Sequence, residues 1–537
     1  MNFNPMPLFV QRLLTGVNLV AALGLLLGGA AEAQNQDLRW VDVPPATDGN
    51  VPQSESSRSG EGAAGETPGT SDFLERAPAT PRTGAYDSLG GARSLFRDDE
   101  VDRGAIRPSS TGLAAARERD RWLAKAQDQA LPHDYNIKIG SMLFWFDAGL
   151  SLEYSDNVTG AGSGGNFDSS RFDDRFSDPR TRDFVGTSDD GREGDFIIRP
   201  QVNMHGYLKL SQYNSLILNV GLGYVKYVNH PEFDSNSSLL YLAPGTEISF
   251  DVKVGDFLIN FHERPSIPQD QTDSLTLRRT FSYSRFVNTV GVSVLWDLNR
   301  ILLSAGYDHF DSIALNSDLD YLNQSSDQLH ASALFKITDS FSAGIEGAAS
   351  PVRYQGGVQN DGFTYNFGPF AEIQVTEFLR LRLSAGYQGG TFDSGGLNGD
   401  NSDPSGYYAN VSIYNNLNAY FTHNLSFGHE GQLGTVSNFV EVNYIRYGAS
   451  WDILNRTSVG GDLSFEDAEE SGGFFAQDIR RYSAGVFLSY FLTKKLAVGL
   501  HYRFTKRESS GSASVAGGNS LLDYHENRIG LDFRYTF

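Results

Sequence analysis

The strongest constraint on the fold is an alternation of apolar and polar residues that begins near Ser141 and continues to the last residue, Phe537. In the first segment, positions 144, 146, 148, 150, 152 and 154 are apolar or aromatic, and Asp147, Ser151 and Glu153 lie between them. Successive side chains of a strand point to opposite faces, so each such segment predicts a strand with one apolar and one polar face. The clearest later segments are 216–224, 290–296, 379–387, 482–490 and 496–504.

Short turns and long polar loops separate these segments in regular alternation. Tight turns at one end and long loops at the other are typical of outer-membrane barrels. The pattern therefore predicts an all-β fold, a transmembrane antiparallel up-and-down β-barrel of about 18 strands, with about 16 as the alternative. The turns are expected near 211–214, 254–256, 297–299, 338–340, 376–377, 417–420, 452–455 and 492–495. The loops are expected at 155–194, 230–237, 266–279, 312–326, 352–361, 393–405, 466–476 and 509–519, with a short one at 432–437.

Aromatic residues support the same topology, because they gather at the two ends of the predicted strands. In a membrane barrel, amphipathic rings form two girdles at the levels of the lipid headgroups. Beside the predicted turns lie Trp145, Trp296, Phe378, Phe421, Trp451, Phe491 and Phe537. At the opposite ends lie Tyr154, Tyr224, Tyr283, Tyr307, Tyr387 and Tyr407.

The first 136 residues lack this alternation. Residues 1–33 contain one basic residue, Arg12, then an apolar stretch too short to span a bilayer, and then Ala31-Glu32-Ala33, which together predict a secretory signal peptide. Residues 34–136 are rich in small, proline and charged residues and are expected to form a largely disordered leader, with one helix at 111–130. Residues 137–537 are the predicted barrel domain.

Composition excludes several kinds of partner and cofactor. The chain has no cysteine, so it has neither disulfides nor thiolate metal sites. Its formal charge of −22 argues against nucleic acid, because binding phosphate requires a positive surface. No sequence motif indicates a cofactor or a metal. The acidic loop at 155–194 could fold into the pore or bind Ca²⁺, but a surface loop is the simpler interpretation.

If the apolar faces meet lipid, the polar faces line the interior. A barrel of about 18 strands is too wide for its own side chains to fill, so this lining predicts a water-filled pore. We expect an ion pair between Glu372 and Arg380 across a tight turn. Arg503, Arg528 and Arg534 could steer anionic solutes, but neutralising acids on the first strand is the favoured interpretation. The predicted lumen-lining residues are Asp147, Arg199, Glu247, Glu346, Glu372, Arg380, Arg382, Arg503, Arg528 and Arg534.

The final strand has an apolar face that includes Phe533, Tyr535 and Phe537. Ending on an aromatic residue resembles the terminal strand of bacterial outer-membrane barrels. That resemblance implies that these three residues are an assembly signal read by the barrel-assembly machinery. We also expect this strand to close the barrel against the strand that begins near Met142 and carries Asp147.

The chain resembles outer-membrane β-barrel porins often associated with exopolysaccharide gene clusters. The resemblance is carried by the sequence from Leu152 to Val158, by the hairpins that follow and by the Phe537 terminus. The resemblance implies a channel for hydrophilic solutes, saccharides or an exopolysaccharide, in contact with outer-membrane lipid and lipopolysaccharide. Its leader and carboxyl terminus would lie in the periplasm. The mixed charge of the lining does not match a dedicated polyanion exporter. A barrel enzyme is one alternative, although no motif joins His309, His330, His423, His429 or His501 to a nucleophile, and an adhesion or structural barrel is the other.

Overall fold

A computed structural model describes residues 135–160, 192–267, 285–510 and 523–537, apart from residues 212, 235–240, 316, 419, 435–436, 455 and 474–475. The predicted signal peptide, nearly all of the leader with its helix, and most of the acidic loop lie outside these residues. In the described part of the chain, the helical residues form two short 3-10 helices, Pro231–Phe233 and Ser317–Leu322. None of its helices is long and apolar enough to cross a membrane.

The described chain is almost entirely β-structure. The strands are β1 Ile137–Ile139, β2 Met142–Ser155, β3 Asp195–Lys209, β4 Asn214–Gly223, β5 Lys226–Tyr227, β6 Tyr241–Leu242, β7 Glu247–Val254, β8 Phe257–Glu263, β9 Arg285–Asp297, β10 Ile301–Ala314, β11 Gln324–Lys336, β12 Phe341–Tyr354, β13 Gly362–Gln374, β14 Leu379–Phe392, β15 Ser405–Asn416, β16 Phe421–Leu433, β17 Phe439–Leu454, β18 Thr457–Glu470, β19 Asp478–Phe491, β20 Leu496–Ser510 and β21 Tyr524–Thr536.

Eighteen of these strands form a closed antiparallel barrel, which confirms the predicted fold and strand number. The remaining three, β1, β5 and β6, are short additions at the ends of wall strands. Closure is made by β21, which pairs with β2 from Asp147–Thr536 to Ser155–Arg528, as the sequence predicted. Just beyond the Asp147–Thr536 end of this ladder, Asn136 connects β2 to the residue that follows β21. Its side chain accepts from the Phe146 N–H at 3.0 Å and donates to the Phe537 carbonyl.

Short and long connections are sorted to opposite ends of the barrel. All eight predicted turns lie at one end, which also holds the start of β2 and the end of β21, and we call it the turn end. The other end, the loop end, carries the longer connections, such as residues 393–404 between β14 and β15. Strands reach further toward the loop end than the alternation suggested. For example, β18 continues to Glu470, although residues 466–476 were predicted as a loop.

The two faces of the wall differ as the alternation predicts. Phe367 on β13 is 61% exposed, whereas its neighbour Asn366 is 2% exposed. The same contrast separates Ile345 from Glu346 on β12. Because the outer face of a closed barrel is convex, the exposed apolar side chains belong to it and the polar ones to the inner face. Burying so many polar groups in lipid would be costly, so this arrangement fits a wall with lipid outside.

Backbone pairing is interrupted at a few places in the wall. Pro351 and Pro369 each coincide with a two-residue gap in one flanking ladder, because proline has no N–H to donate. The β15–β16 ladder differs, since it ends at Ala409–His429 and leaves residues 405–408 and 430–433 beyond the last pair. Neither of these segments contains a proline.

Candidate functional site: the inner face of the barrel

The predicted lumen-lining residues share one face of the wall. Asp147 on β2 and Arg199 on β3 each lie between apolar neighbours, and Glu247 is the first residue of β7. Glu346, Glu372, Arg380, Arg382, Arg503, Arg528 and Arg534 occupy the corresponding positions on β12, β13, β14, β20 and β21. Whether these residues line a path for solutes stays a prediction, because it depends on what fills the interior.

A cluster of ion pairs bridges the closure of the barrel. Glu153 on β2 lies 2.9 Å from Arg199, 3.2 Å from His501 and 3.7 Å from Arg528. Asp147 lies 3.1 Å from Arg534. The expectation that Arg528 and Arg534 neutralise acids on the first strand is therefore confirmed. Arg503 lies 3.8 Å from Asp462 on β18.

His501 reaches Glu153 because β21 carries a glycine between them. The His501 ring lies between Glu153 and Asp532 and hydrogen-bonds the latter at 2.6 Å. A Cβ atom on Gly530 would lie 2.3 Å from the His501 ring. Any side chain at position 530 would therefore displace the histidine. A glycine opposite an inward histidine was a signal in the sequence that our prediction did not use.

The predicted partner of Glu372 is wrong. The β13–β14 register places Gln374 opposite Arg380 and Glu372 opposite Arg382. Arg382 accordingly contacts Glu372 and lies 2.6 Å from Glu346 on β12, with its guanidinium 4.4 Å from the centre of the Phe370 ring. Arg380 instead donates to the Gln374 side chain at 3.4 Å.

A second buried acid that the sequence analysis missed is Glu466 on β18. It accepts from Arg446 at 2.7 Å and from Arg481 at 2.8 Å, on the two neighbouring strands. Glu466 and Arg481 are directly opposite in the β18–β19 register, so cross-strand charge pairing was the signal. The residue was assigned to a loop, and this assignment hid the pair.

The described ion pairs of the inner face each join strands no more than two places apart, from Arg534–Asp147 on adjacent strands to Arg382–Glu346 across β13. They therefore run along the wall and neutralise it locally. Where these pairs lie, the lining presents polar, charge-balanced surface toward the axis of the barrel.

Four connections at the loop end are joined around Asp400, which is 1% exposed. Its carboxylate accepts from the Asn438 N–H at 2.8 Å and from the Ser471 hydroxyl at 2.5 Å, and Asn360 donates to its carbonyl at 2.7 Å. Asn360 also donates directly to the Asn438 side chain at 2.9 Å. We call residues 356–361, 393–404, 437–438 and 471–473 the Asp400 cap.

The cap lies over part of the barrel mouth. Asn360 precedes β13 and Asn438 precedes β17, which are four interstrand spacings apart, or about 19 Å along the wall. Their side chains are nevertheless in direct hydrogen-bond contact, so the two connections meet along a straight line across the rim rather than along the wall. A straight line between two points of a closed ring lies inside the ring. The connections that carry Asn360 and Asn438 therefore leave the wall and fold over the barrel mouth.

The histidines weighed for catalysis are tied to carboxylates or amides. His330 faces Asp308, His423 and His429 contact asparagines, and His309 lies on the outer face with Asp311 and Asp327. The described residues contain no group of histidines and carboxylates that could hold a metal ion. Of the predicted assembly residues, Phe533 and Tyr535 lie on the outer face of β21 and Phe537 directly follows this strand, and their role stays a prediction.

No protein-family model and no curated protein matches this chain. Among solved structures, it is similar to OccK2 (OpdF) of Pseudomonas aeruginosa in complex with glucuronate, at 10% identity and a TM-score of 0.40, over 73% of this chain and 98% of that one. It is also similar to the outer-membrane channel DcaP of Acinetobacter baumannii, at 12% identity and a TM-score of 0.39, over 75% of this chain and 100% of that one. Likenesses this loose add nothing to the geometry above.

Proposed function

We propose that this protein is a non-enzymatic channel for hydrophilic solutes in a bacterial outer membrane. The observation that carries the proposal is the closed 18-strand wall with an apolar outer face and an inner face of locally neutralised charges. A wall of this size encloses more space than its side chains fill, and a polar lining favours water within it. The short turns and both ends of the barrel domain would face the periplasm, as they do in barrels of this class.

The lining also bears on the class of solute. Its bases lie in local pairs with acids rather than in one basic strip, which favours neutral hydrophilic solutes such as saccharides over polyanions. Passage of an exopolysaccharide is the more specific form of this proposal. Outer-membrane lipid, lipopolysaccharide and the barrel-assembly machinery are the partners that such a protein requires.

The test is single-channel recording of the refolded full chain in planar bilayers, with reversal potentials measured in a salt gradient. We expect stable conductance with weak ion selectivity. Swelling of liposomes in saccharides of increasing size then measures the limiting solute. A protein that is folded and inserted but conducts under no condition would overturn the proposal and favour an adhesion or structural role.

A further inference from the structure

One aromatic ring on the inner face of the wall is exposed toward the interior. Tyr414 lies on β15, where it follows the outward residue Ile413. Its register fixes the same face, because it is directly opposite Arg380 on β14 and Asn424 on β16. Tyr414 is 42% exposed, whereas Tyr408, on the same face of the same strand, is 0% exposed. The ring of Tyr414 is therefore presented to the interior instead of being packed into the wall.

This exposure departs from the distribution of apolar surface in the rest of the barrel. In the described wall strands, the other large apolar side chains that are exposed lie on the outer face or at a strand end. Aromatic rings on the outer face are explained by the lipid headgroup layers. That explanation does not extend to Tyr414, because its side chain faces away from the lipid.

The inner face beside Tyr414 carries hydroxyl and amide groups rather than charges. On β15 and β16 these groups belong to Ser412, Asn416, Thr422, Asn424 and Ser426. Within the described part of the chain, the hydroxyls of Tyr414, Ser412 and Ser426 have no hydrogen-bond partner. Their capacity to donate and to accept is therefore free for a solute.

Two arginines of β14 border this surface. Arg382 is held by acids on β12 and β13. Arg380 is exposed and donates one N–H to the Gln374 side chain at 3.4 Å. Among the described residues its other N–H groups have no acceptor, so they are available to the oxygens of a solute.

The dimensions of the surface suit a short saccharide. Ser412 and Asn416 are four residues apart on β15, or about 13 Å, and the surface extends about 10 Å from β14 to β16. It lies close to the turn end, because β15 ends at Asn416.

We propose that Tyr414, Arg380 and the hydroxyl and amide groups beside them form a binding subsite for a sugar ring on the inner wall. The proposal rests on the proposed channel, because the saccharide reaches the subsite through the lumen. A pyranose ring has a face of C–H groups, which stacks on the electron-rich face of tyrosine. Its rim carries hydroxyls that both donate and accept, and these match Ser412, Ser426 and Arg380. One aromatic surface with a few polar groups around it is the usual composition of a small-molecule site.

Binding at the subsite can be measured without transport. The full chain is refolded in lauryldimethylamine oxide, a detergent that has no sugar headgroup, and saturation-transfer NMR titrations use cellotriose or maltotriose as the probe. We expect Tyr414→Ala to weaken binding by about tenfold, because the stacking face is lost. Tyr414→Phe keeps the ring and loses only the hydroxyl, so its affinity should stay within about threefold of that of the unaltered chain.

Tyr407→Ala is the matched control, because Tyr407 lies on the outer face of the same strand and is 63% exposed. This variant should bind the probes as the unaltered chain does, and heat-dependent migration in gels verifies that each variant is folded. Unchanged binding in Tyr414→Ala, or an equal loss in Tyr407→Ala, would overturn the subsite. Failure of the folded, unaltered chain to bind either trisaccharide would overturn it as well.

Two further results separate the subsite from the channel. A folded protein that binds the probes through Tyr414 but conducts under no condition would refute the proposed channel alone. A conducting protein whose binding is the same in Tyr414→Ala would refute the subsite alone.

Discussion

The guanidinium of Arg534 on β21 lies 3.1 Å from the carboxylate of Asp147 on β2, and both side chains are largely buried. The first and last strands are thus joined by an ion pair as well as by a backbone ladder. Asp147 also hydrogen-bonds His205 at 3.0 Å and Asn203 at 2.7 Å. Losing this carboxylate would leave a buried cation beside the closure.

We therefore expect Asp147→Ala to lower the free energy of unfolding by about 3 kcal/mol, which is typical when one partner of a buried pair is removed. Urea unfolding of the protein in lipid bilayers measures the change. Asp467→Ala is the matched control, since its pair with Arg480 lies on the outer face with side chains 43% and 62% exposed. Exposed pairs contribute at most about 1 kcal/mol. Equal losses for the two variants would refute the role of the closure pair.

Arg382 offers a test of the charge balance of the inner face. Its guanidinium touches both Glu346 and Glu372, so Arg382→Gln leaves two acids with less positive charge beside them. We expect the reversal potential in a KCl gradient to shift toward cation selectivity. Arg480→Gln removes the same charge from the outer face and should leave the reversal potential unchanged. A similar shift in both variants would mean that Arg382 does not face the conducting path.

The Asp400 cap should limit the aperture at the loop end. Asp400→Ala removes the acceptor of Asn438 and Ser471, so the four connections lose their common anchor. We expect a larger and noisier unit conductance and passage of larger saccharides. Asp403→Ala is the control, because Asp403 lies in the same connection but accepts only locally, from the Phe392 N–H at 2.7 Å. An unchanged conductance in Asp400→Ala would show that the cap does not narrow the mouth.

His230 provides a pH-dependent contact at the loop end. Its ring nitrogens lie 2.7 Å from Glu193 and 3.1 Å from Asp195. Burial lowers the pKa of His230, but the hydrogen bonds and charges of the two acids outweigh it and raise the pKa above its ordinary value. A raised pKa means that the contact stabilises fully below the ordinary histidine pKa of about 6.5 and is lost as pH rises through the folded value.

Amide exchange around residues 225–234, corrected for intrinsic rates, should therefore be slow at about pH 6 and faster in mildly alkaline solution. In His230→Gln the corrected exchange should be uniformly faster and lose this dependence on pH. The same pH dependence in His230→Gln would assign it to another group.

The terminal aromatic residue bears on assembly. Phe537 donates its N–H to the Phe146 carbonyl at 3.1 Å, and its ring lies 5.1 Å from that of Tyr535 on the exposed outer face. Deleting Phe537 should reduce the amount of folded barrel in the outer membrane of cells, whereas refolding of the purified chain in detergent should be little affected. Heat-dependent migration in gels separates folded from unfolded protein in both cases. An equal loss in cells and in detergent would indicate a role in stability rather than in assembly.

The sequence was sufficient to predict the wall because lipid outside and water inside impose a period of two on every strand. The prediction weakened at the loop end, where strands continue beyond the apolar band and both faces become polar. Glu466 shows this limit, since it sits on a strand whose alternation has faded. The detour from β4 through β5 and β6 to β7 was missed for the same reason.

The sequence predicted which side chains lie on the inner face of the wall better than it predicted which of them contact one another. The predicted partner of Glu372 was Arg380, but the observed partner is Arg382, two residues further along β14. Residues two apart lie on the same face of a strand, so the predicted face was right and only the partner was wrong. The closure pairs were predictable because an even, closed barrel brings the last strand to the first. The cap could not be predicted, since it depends on side-chain hydrogen bonds among connections that have no periodicity.

The closure of β21 on β2 also fixes when the barrel can be completed. Its ladder joins residues near the two ends of the barrel domain, such as Asp147 and Thr536, so no partial chain can seal the wall. A polypeptide interrupted anywhere between them would present two sheet edges with unsatisfied backbone groups, which a bilayer does not tolerate. The wall therefore cannot close before the final strand has been synthesised.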